Sequence, residues 1–117
     1  MALPATCRNL YAPQAFIDCS FVTLVITSTG RDADRSSPET TVGAGAAGVY
    51  ACTMPAAQFQ ILLGREVRDT GAAGGKTVQV SGYSVANGVA SFNVTLSGGS
   101  NAASTEEVFV TFLCIGS

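Results

Sequence analysis

The sequence predicts an all-β protein, an antiparallel β-sandwich or jelly roll of seven to nine short strands, and three observations carry that expectation. Two β-rich runs meet at Asn87-Gly88. A two-residue type I′ hairpin turn needs positive φ at both central positions, and Asn and Gly tolerate it best. Short runs of Val, Ile, Phe, Thr and Tyr recur along the chain, spaced by turns rich in Gly, Ser and Pro. No segment makes a convincing helix. Strands without helices bury their apolar faces against one another, and two such sheets face to face make a sandwich.

With 117 residues the chain is one domain of ordinary size, able to bury roughly two-thirds of its unfolded surface without covalent staples. Only 12% of its residues are charged, against about 25% in a typical soluble domain. Ser, Thr, Gly, Ala, Asn and Gln must therefore cover much of the exterior. Such a surface desolvates easily against a neighbour, which favours an oligomer or lattice component over a lone monomer. The net charge is −2, and Arg8, Arg31, Arg35, Arg65, Arg68 and Lys76 are scattered among acidic residues. Nucleic-acid binding needs clustered positive charge, so no such partner is expected.

The start, Met1-Ala2-Leu3-Pro4, has no basic segment leading into an apolar one, and no run reaches the roughly 18 apolar residues that span a bilayer. The expectation is a product of the cytosol with no membrane partner. In that reducing compartment Cys7, Cys19, Cys52 and Cys114 should remain thiols and pack as small hydrophobes. Cys7–Cys19 is the first pair to test for a disulfide.

Residues 1–13 hold Pro4 and Pro13 and show no periodicity. They read as an extended N-terminal arm, with room for a short edge strand at residues 9–11, ahead of a single sandwich domain at 14–117. From Ala15 to Thr29 the run is β-branched and aromatic, with a kink expected at Cys19-Ser20 between two short strands. Leu24, Val25 and Ile26 are consecutive, which requires cover on both faces and marks a central strand. Thr29 to Pro38 carries charges and turn-formers and reads as the most exposed loop. Asp32 and Asp34 resemble the start of a calcium loop, but the third ligand position and the downstream Glu are missing, so a solvated loop is expected.

Thr40 to Val42 reads as a short strand. Gly43 to Gly48 is too small-residued to pack, and it lacks the Lys-Ser or Lys-Thr ending of a phosphate loop. Gly48 to Pro55 reads as a strand with Tyr50, Cys52 and Met54 on one face. Ala56 to Arg68 is ambiguous. Phe59, Leu62 and Leu63 fit a helical face, while Phe59, Ile61 and Leu63 alternate as a strand does. The surrounding β-character favours a strand reaching Val67 with a bulge near Gly64. Asp69 to Gly75 is a loop.

In the hairpin, Ala86 faces Val89, Val85 faces Ala90 and Tyr83 faces Phe92. Continued strictly, that register turns Val78 and Val80 outward, so a bulge is expected at Ser81-Gly82 to return them to the core. The expected core face is Tyr83, Val85, Phe92, Val94 and Leu96. Ser97 to Ser104 reads as a flexible loop. Glu106 to Ile115 is apolar on both faces, so it must be central or lie at a subunit interface.

The chain has no histidine. That removes the usual general base and metal ligand, and with them Ser-His and Cys-His nucleophile pairs. No Cys-x-x-Cys spacing suggests zinc. Glu106 and Glu107 are adjacent on a strand and point to opposite faces, unlike a glycosidase pair, so edge solubility explains them. Trp, the usual sugar-stacking platform, is absent. Tyr11, Tyr50 and Tyr83 each suit a core or interface position better. Asn93-Val94-Thr95 matches a glycosylation acceptor but reads as strand. No catalytic, cofactor-binding or metal residue is assigned, and no enzymatic activity is expected.

Gly48 to Met54, Thr77 to Val80, Ser91 to Thr95 and Val108 to Cys114 together resemble small bacteriophage virion proteins with a jelly roll of the tumour-necrosis-factor/C1q type. The resemblance covers residues 48–115. It implies a capsid decoration (cement) protein on the outside of the head, made in the host cytoplasm. Its partners would be the major capsid protein and itself, as a homotrimer or a dimer. The alternative from another class is a receptor- or carbohydrate-binding module of a tail fibre or surface protein, using the Arg31–Pro38 or Gly71–Gly75 loops.

Overall fold

A computed structural model describes residues 19–71 and 75–116; the expected arm at 1–13 and the apolar residues Phe16 and Ile17 lie outside them. Within the described residues the chain forms eight strands: β1 (Cys19–Thr27), β2 (Gly30–Arg31), β3 (Thr41–Val42), β4 (Val49–Pro55), β5 (Phe59–Asp69), β6 (Val78–Ala86), β7 (Val89–Leu96) and β8 (Glu106–Ile115). One 3₁₀ turn, Ser97–Gly99, is the sole helical element among them. No helix there is long and apolar enough to cross a membrane.

The strands make two four-stranded antiparallel sheets, ordered β2-β1-β8-β5 and β3-β4-β7-β6. The pairing is nested, with β1 against β8 and β4 against β7. The sheets face each other across one apolar core. Leu24, Ile26, Val108, Val110 and Phe112 enter it from the first sheet, and Tyr50, Cys52, Met54, Phe92, Val94 and Leu96 from the second. Phe92 and Phe112 meet edge-to-face, their centroids 5.1 Å apart. β8 lies between β1 and β5, so its two-sided apolar sequence reflects a central strand, as does the buried run Leu24 to Ile26 in β1. The ambiguous segment is a strand, and its register shifts between Leu62 and Gly64, where the bulge was expected.

β1 runs unbroken from Cys19 to Thr27; the residues before it, on which the kink expected at Cys19-Ser20 depends, lie outside the described residues. Several expectations need correction. Gly30 and Arg31 pair with β1 as a strand, and the loop after them is tied down rather than freely solvated. The backbone N–H groups of Thr23 and Val25 donate to Ser37 Oγ (2.9 Å) and Ser36 Oγ (3.0 Å), so hydroxyls complete the edge of β1. Gly43 to Gly48 is not too small to pack. A Cβ at Gly45 would lie 2.5 Å from the Tyr50 ring, so the missing side chain is what admits the tyrosine.

The hairpin turn is confirmed by φ values of 55° at Asn87 and 76° at Gly88, and Ala86 faces Val89. The bulge falls one residue beyond the expected place: Ser81 pairs with Asn93 and Ser84 with Ser91, leaving Gly82 and Tyr83 together opposite Phe92. Val78 is thereby buried and Val80 packs against the core. Tyr83 and Val85 are not core residues, with exposures of 46% and 52%. β6 is an edge strand, and its hairpin end extends past the cover that the facing sheet provides.

The Ser97 to Ser104 loop is pinned as well. Asn101 accepts from Gly48 N–H at 2.8 Å and donates to Gly45 C=O at 3.0 Å. Ala102 N–H donates to the Tyr50 hydroxyl at 2.9 Å. Glu106 and Glu107 do point to opposite faces, but β8 is central, so edge solubility does not explain them.

Candidate interaction surface

Among the described residues, no three of His, Cys, Asp and Glu are placed to hold a metal ion. Three of the four carboxylates the sequence singled out, Asp32, Glu106 and Glu107, are engaged in structural pairs. Glu106 is buried at the start of β8, where Oε1 accepts from Lys76 Nζ at 2.8 Å and from Ala103 N–H at 2.7 Å. The lysine, then the backbone donor, hold its carboxyl below the usual glutamate range. Asp32 Oδ1 accepts the N–H groups of Asp34 and Arg35, and Oδ2 accepts from Arg35 Nε at 2.7 Å. The same guanidinium donates to Glu107, so both acids titrate low, with Arg35 the leading cause. Arg35 and Arg68 both lie over the Phe109 ring, at 5.7 and 5.1 Å from its centroid.

The Arg31–Pro38 loop has little left to offer a ligand. Arg31 Nε donates to Thr40 Oγ1 and its Nη2 to Ser37 C=O. An open groove of about 850 Å³ runs between the start of β1 and this loop, but Ser36 and Ser37 on its wall are already bonded to β1. Of the Gly71–Gly75 loop, residues 72–74 lie outside the described set; Gly71 N–H donates to Asp69 Oδ1 at 2.9 Å. Cys52 and Cys114 are buried thiols, and burial pushes Cys52 up to about 12. Cys19 is buried too, while Cys7 falls outside the described residues. Tyr50 is a core residue and Tyr83 a surface one.

What the fold does present is a surface. Phe59, Ile61, Leu63, Tyr83 and Val85 are all substantially exposed, and all five sit on β5 and β6, which among the described strands are the edges that share one side of the sandwich. That side has two halves. Towards the end of β5, Arg65 Nε crosses between the sheets to donate to Val78 C=O at 3.0 Å, and Glu66 and Arg68 add charge to the edge. Towards its start, the run Phe59-Gln60-Ile61-Leu62-Leu63 carries no charge and no proline. There partial burial of its hydroxyl raises the Tyr83 pKa, with Cys114 a lesser cause.

On the outer face of the first sheet, Phe59 lies beside Ile115 and Ile61 beside Leu113, and Phe21 lies on Leu113's other side. Farther along comes a threonine pair, Thr23 with Thr111, and then Phe109 beneath its two guanidiniums. The face thus grades from apolar to charged along the strands. Sequence reasoning placed β5 and its bulge correctly but missed this surface. The available signal was the absence of charge over residues 59–63, which becomes informative only once β5 is known to be an edge. No family model, curated protein or solved structure matches the chain.

Proposed function

We propose that the chain is a non-enzymatic virion structural protein, a capsid decoration protein that clamps capsid subunits from outside and assembles with itself as a trimer or dimer. The observation that carries this reading is the uncharged half of the sandwich's open side, with five large apolar side chains exposed on the two edge strands β5 and β6. Covering a fully exposed side chain of this size stabilises by about 1.5–3 kcal/mol, so covering half-exposed ones yields about half of that each. A few such contacts per copy are modest alone, but repeated over a shell they oppose its expansion collectively. The low charge of the chain and its resemblance to small phage jelly-roll proteins agree with this role. A glycan-binding module fits less well, because Arg31 and Arg35 on its expected loop are committed internally.

The test is co-sedimentation of the purified chain with shells assembled from the major capsid protein encoded beside it. Saturable binding at a fixed ratio to capsid subunits is the expected result. Failure to pellet with the shells would overturn the reading, and specific hits on a glycan array would replace it with the carbohydrate-binding one.

A further inference from the structure

We propose that residues 59–63 of β5 pair antiparallel with the same residues of a second copy, about a two-fold axis beside Ile61, fusing the β2-β1-β8-β5 sheets of the two molecules. This deepens the reading above by assigning the surface through which the chain meets itself, and it selects a two-fold dimer.

An unpaired strand edge presents a row of backbone donors and acceptors that invites another strand, and proteins blunt such edges with charge, proline, bulges or brevity. The second half of β5 is blunted: the register shift at Leu62/Gly64 is followed by Arg65, Glu66 and Arg68. Phe59 to Leu62 have none of these devices and end at the bulged Leu63, and Phe59, Ile61 and Leu63 are exposed at 59%, 47% and 51%.

Self-pairing suits this segment. Centred on Ile61, an antiparallel register sets Phe59 against the other copy's Leu63 and Ile61 against its own counterpart. Aromatic–aliphatic cross-strand pairs of that kind are favourable. Arg65 then falls opposite Ala57, and no charge meets a like charge. Tyr83 and Val85, exposed on the neighbouring edge of the second sheet, lie on the same open side and widen the contact.

Among the described residues, the opposite side of the sandwich offers no equivalent edge. β2 and β3 are two residues each, and β1 beyond them is closed by the Ser36 and Ser37 hydroxyls. A head-to-tail contact between unlike edges would build open filaments, whereas like-with-like pairing closes at two copies. β6, the other described edge on this side, is uncharged too, but Arg65 occupies its Val78 carbonyl and the bulge at Gly82-Tyr83 interrupts it midway, which leaves the start of β5 as the edge for like-with-like pairing.

The experiment is sedimentation equilibrium on the full chain, on Ile61→Lys, on Ile61→Glu, and on an equimolar mixture of the two variants. The unaltered chain should dimerise, and each variant should weaken dimerisation at least ~100-fold, because like charges would face each other at the axis. The mixture should recover dimers, since Lys then faces Glu. An unaltered chain that stays monomeric at ~100 µM, well above the Kd of a specific interface, overturns the pairing. So does a dimer that Ile61→Lys leaves intact, or a mixture that remains monomeric. Should Ile61→Lys fail to fold, Phe59→Lys mixed with Leu63→Glu tests the same register, because those positions face each other. Co-sedimentation with shells separates the two readings. A monomer that still coats shells overturns the pairing alone, and a dimer that coats none overturns the decoration role alone.

Discussion

Gly45 and Tyr50 show how a single residue sets the order of the loops around it. The ring lies where a Gly45 side chain would be, and its hydroxyl accepts the N–H of buried Ala102. Gly45→Ala must displace a packed ring, and overpacking of this kind costs about 1–3 kcal/mol, which urea unfolding would register. Glu106 governs the acid side. Its folded pKa lies below the unfolded value, so its stabilisation is present above the unfolded glutamate pKa and is lost as pH falls through the folded one. Asp32 and Glu107 act in the same direction through Arg35. Thermal melts should therefore drop as pH falls below ~4.3, the ordinary glutamate value. Glu106→Gln keeps an acceptor for Ala103 but loses the Lys76 ion pair; it should be less stable at neutral pH and show a flatter acid slope. Cys52 governs the alkaline side with the opposite shift. Raised to about 12 by burial, its stabilisation is complete below the unfolded cysteine value and is lost as pH rises past ~8.5.

At the scale of elements, the two bulges look alike in sequence, each at a glycine in an edge strand, yet they make opposite predictions. Gly82 has φ +67°, and a Cβ there would meet the Asn93 side-chain nitrogen at 3.2 Å. Gly82→Ala should cost about 1–2 kcal/mol for the left-handed backbone alone. Gly64 has an ordinary φ and nothing within 4 Å of its Cβ position, so Gly64→Ala should be neutral or gain about 0.4–1 kcal/mol by restricting the unfolded chain. Denaturant midpoints of the two variants on either side of the parent would check both. These elements also show which information the sequence carries. The Asn87-Gly88 turn, the need for a bulge before it and the inward Tyr50-Cys52-Met54 face were legible, because they follow from φ preference and period-two alternation. The exposure of Tyr83 and Val85 was not. Alternation says which face a side chain takes but not how far the opposite sheet extends, and here cover ends before the hairpin does. Glu106 escaped for a related reason: its partner Lys76 is 30 residues away, and nothing local announces the pair.

The whole molecule is organised by pairing between distant segments. β1 and β8 run together from Cys19 beside Ile115 to Ile26 beside Val108, and β8 is also the partner of β5. β1 and β5 therefore both depend on β8, a strand far from each of them along the chain. This ties the interaction surface to the core, since Phe59, Ile61 and Leu63 are presented only while β8 holds β5 in place. A chain lacking residues 106–117 should accordingly fail to fold, as judged by loss of cooperative melting. Removing residues 1–13 is a different operation. All fifteen residues of the described core cluster lie between Leu24 and Cys114, and β1, the first described strand, begins only at Cys19. The shortened chain should keep a cooperative melt and the β5 surface with it. If the segment at 1–13 is the arm that grips the shell, its loss should weaken shell attachment at least ~10-fold, equivalent to about 1.4 kcal/mol per copy. Co-sedimentation of the shortened and full chains over a concentration series measures that difference. Undiminished attachment by a folded, shortened chain would assign the grip to the sandwich itself, with the open side at the start of β5 as the remaining apolar contact.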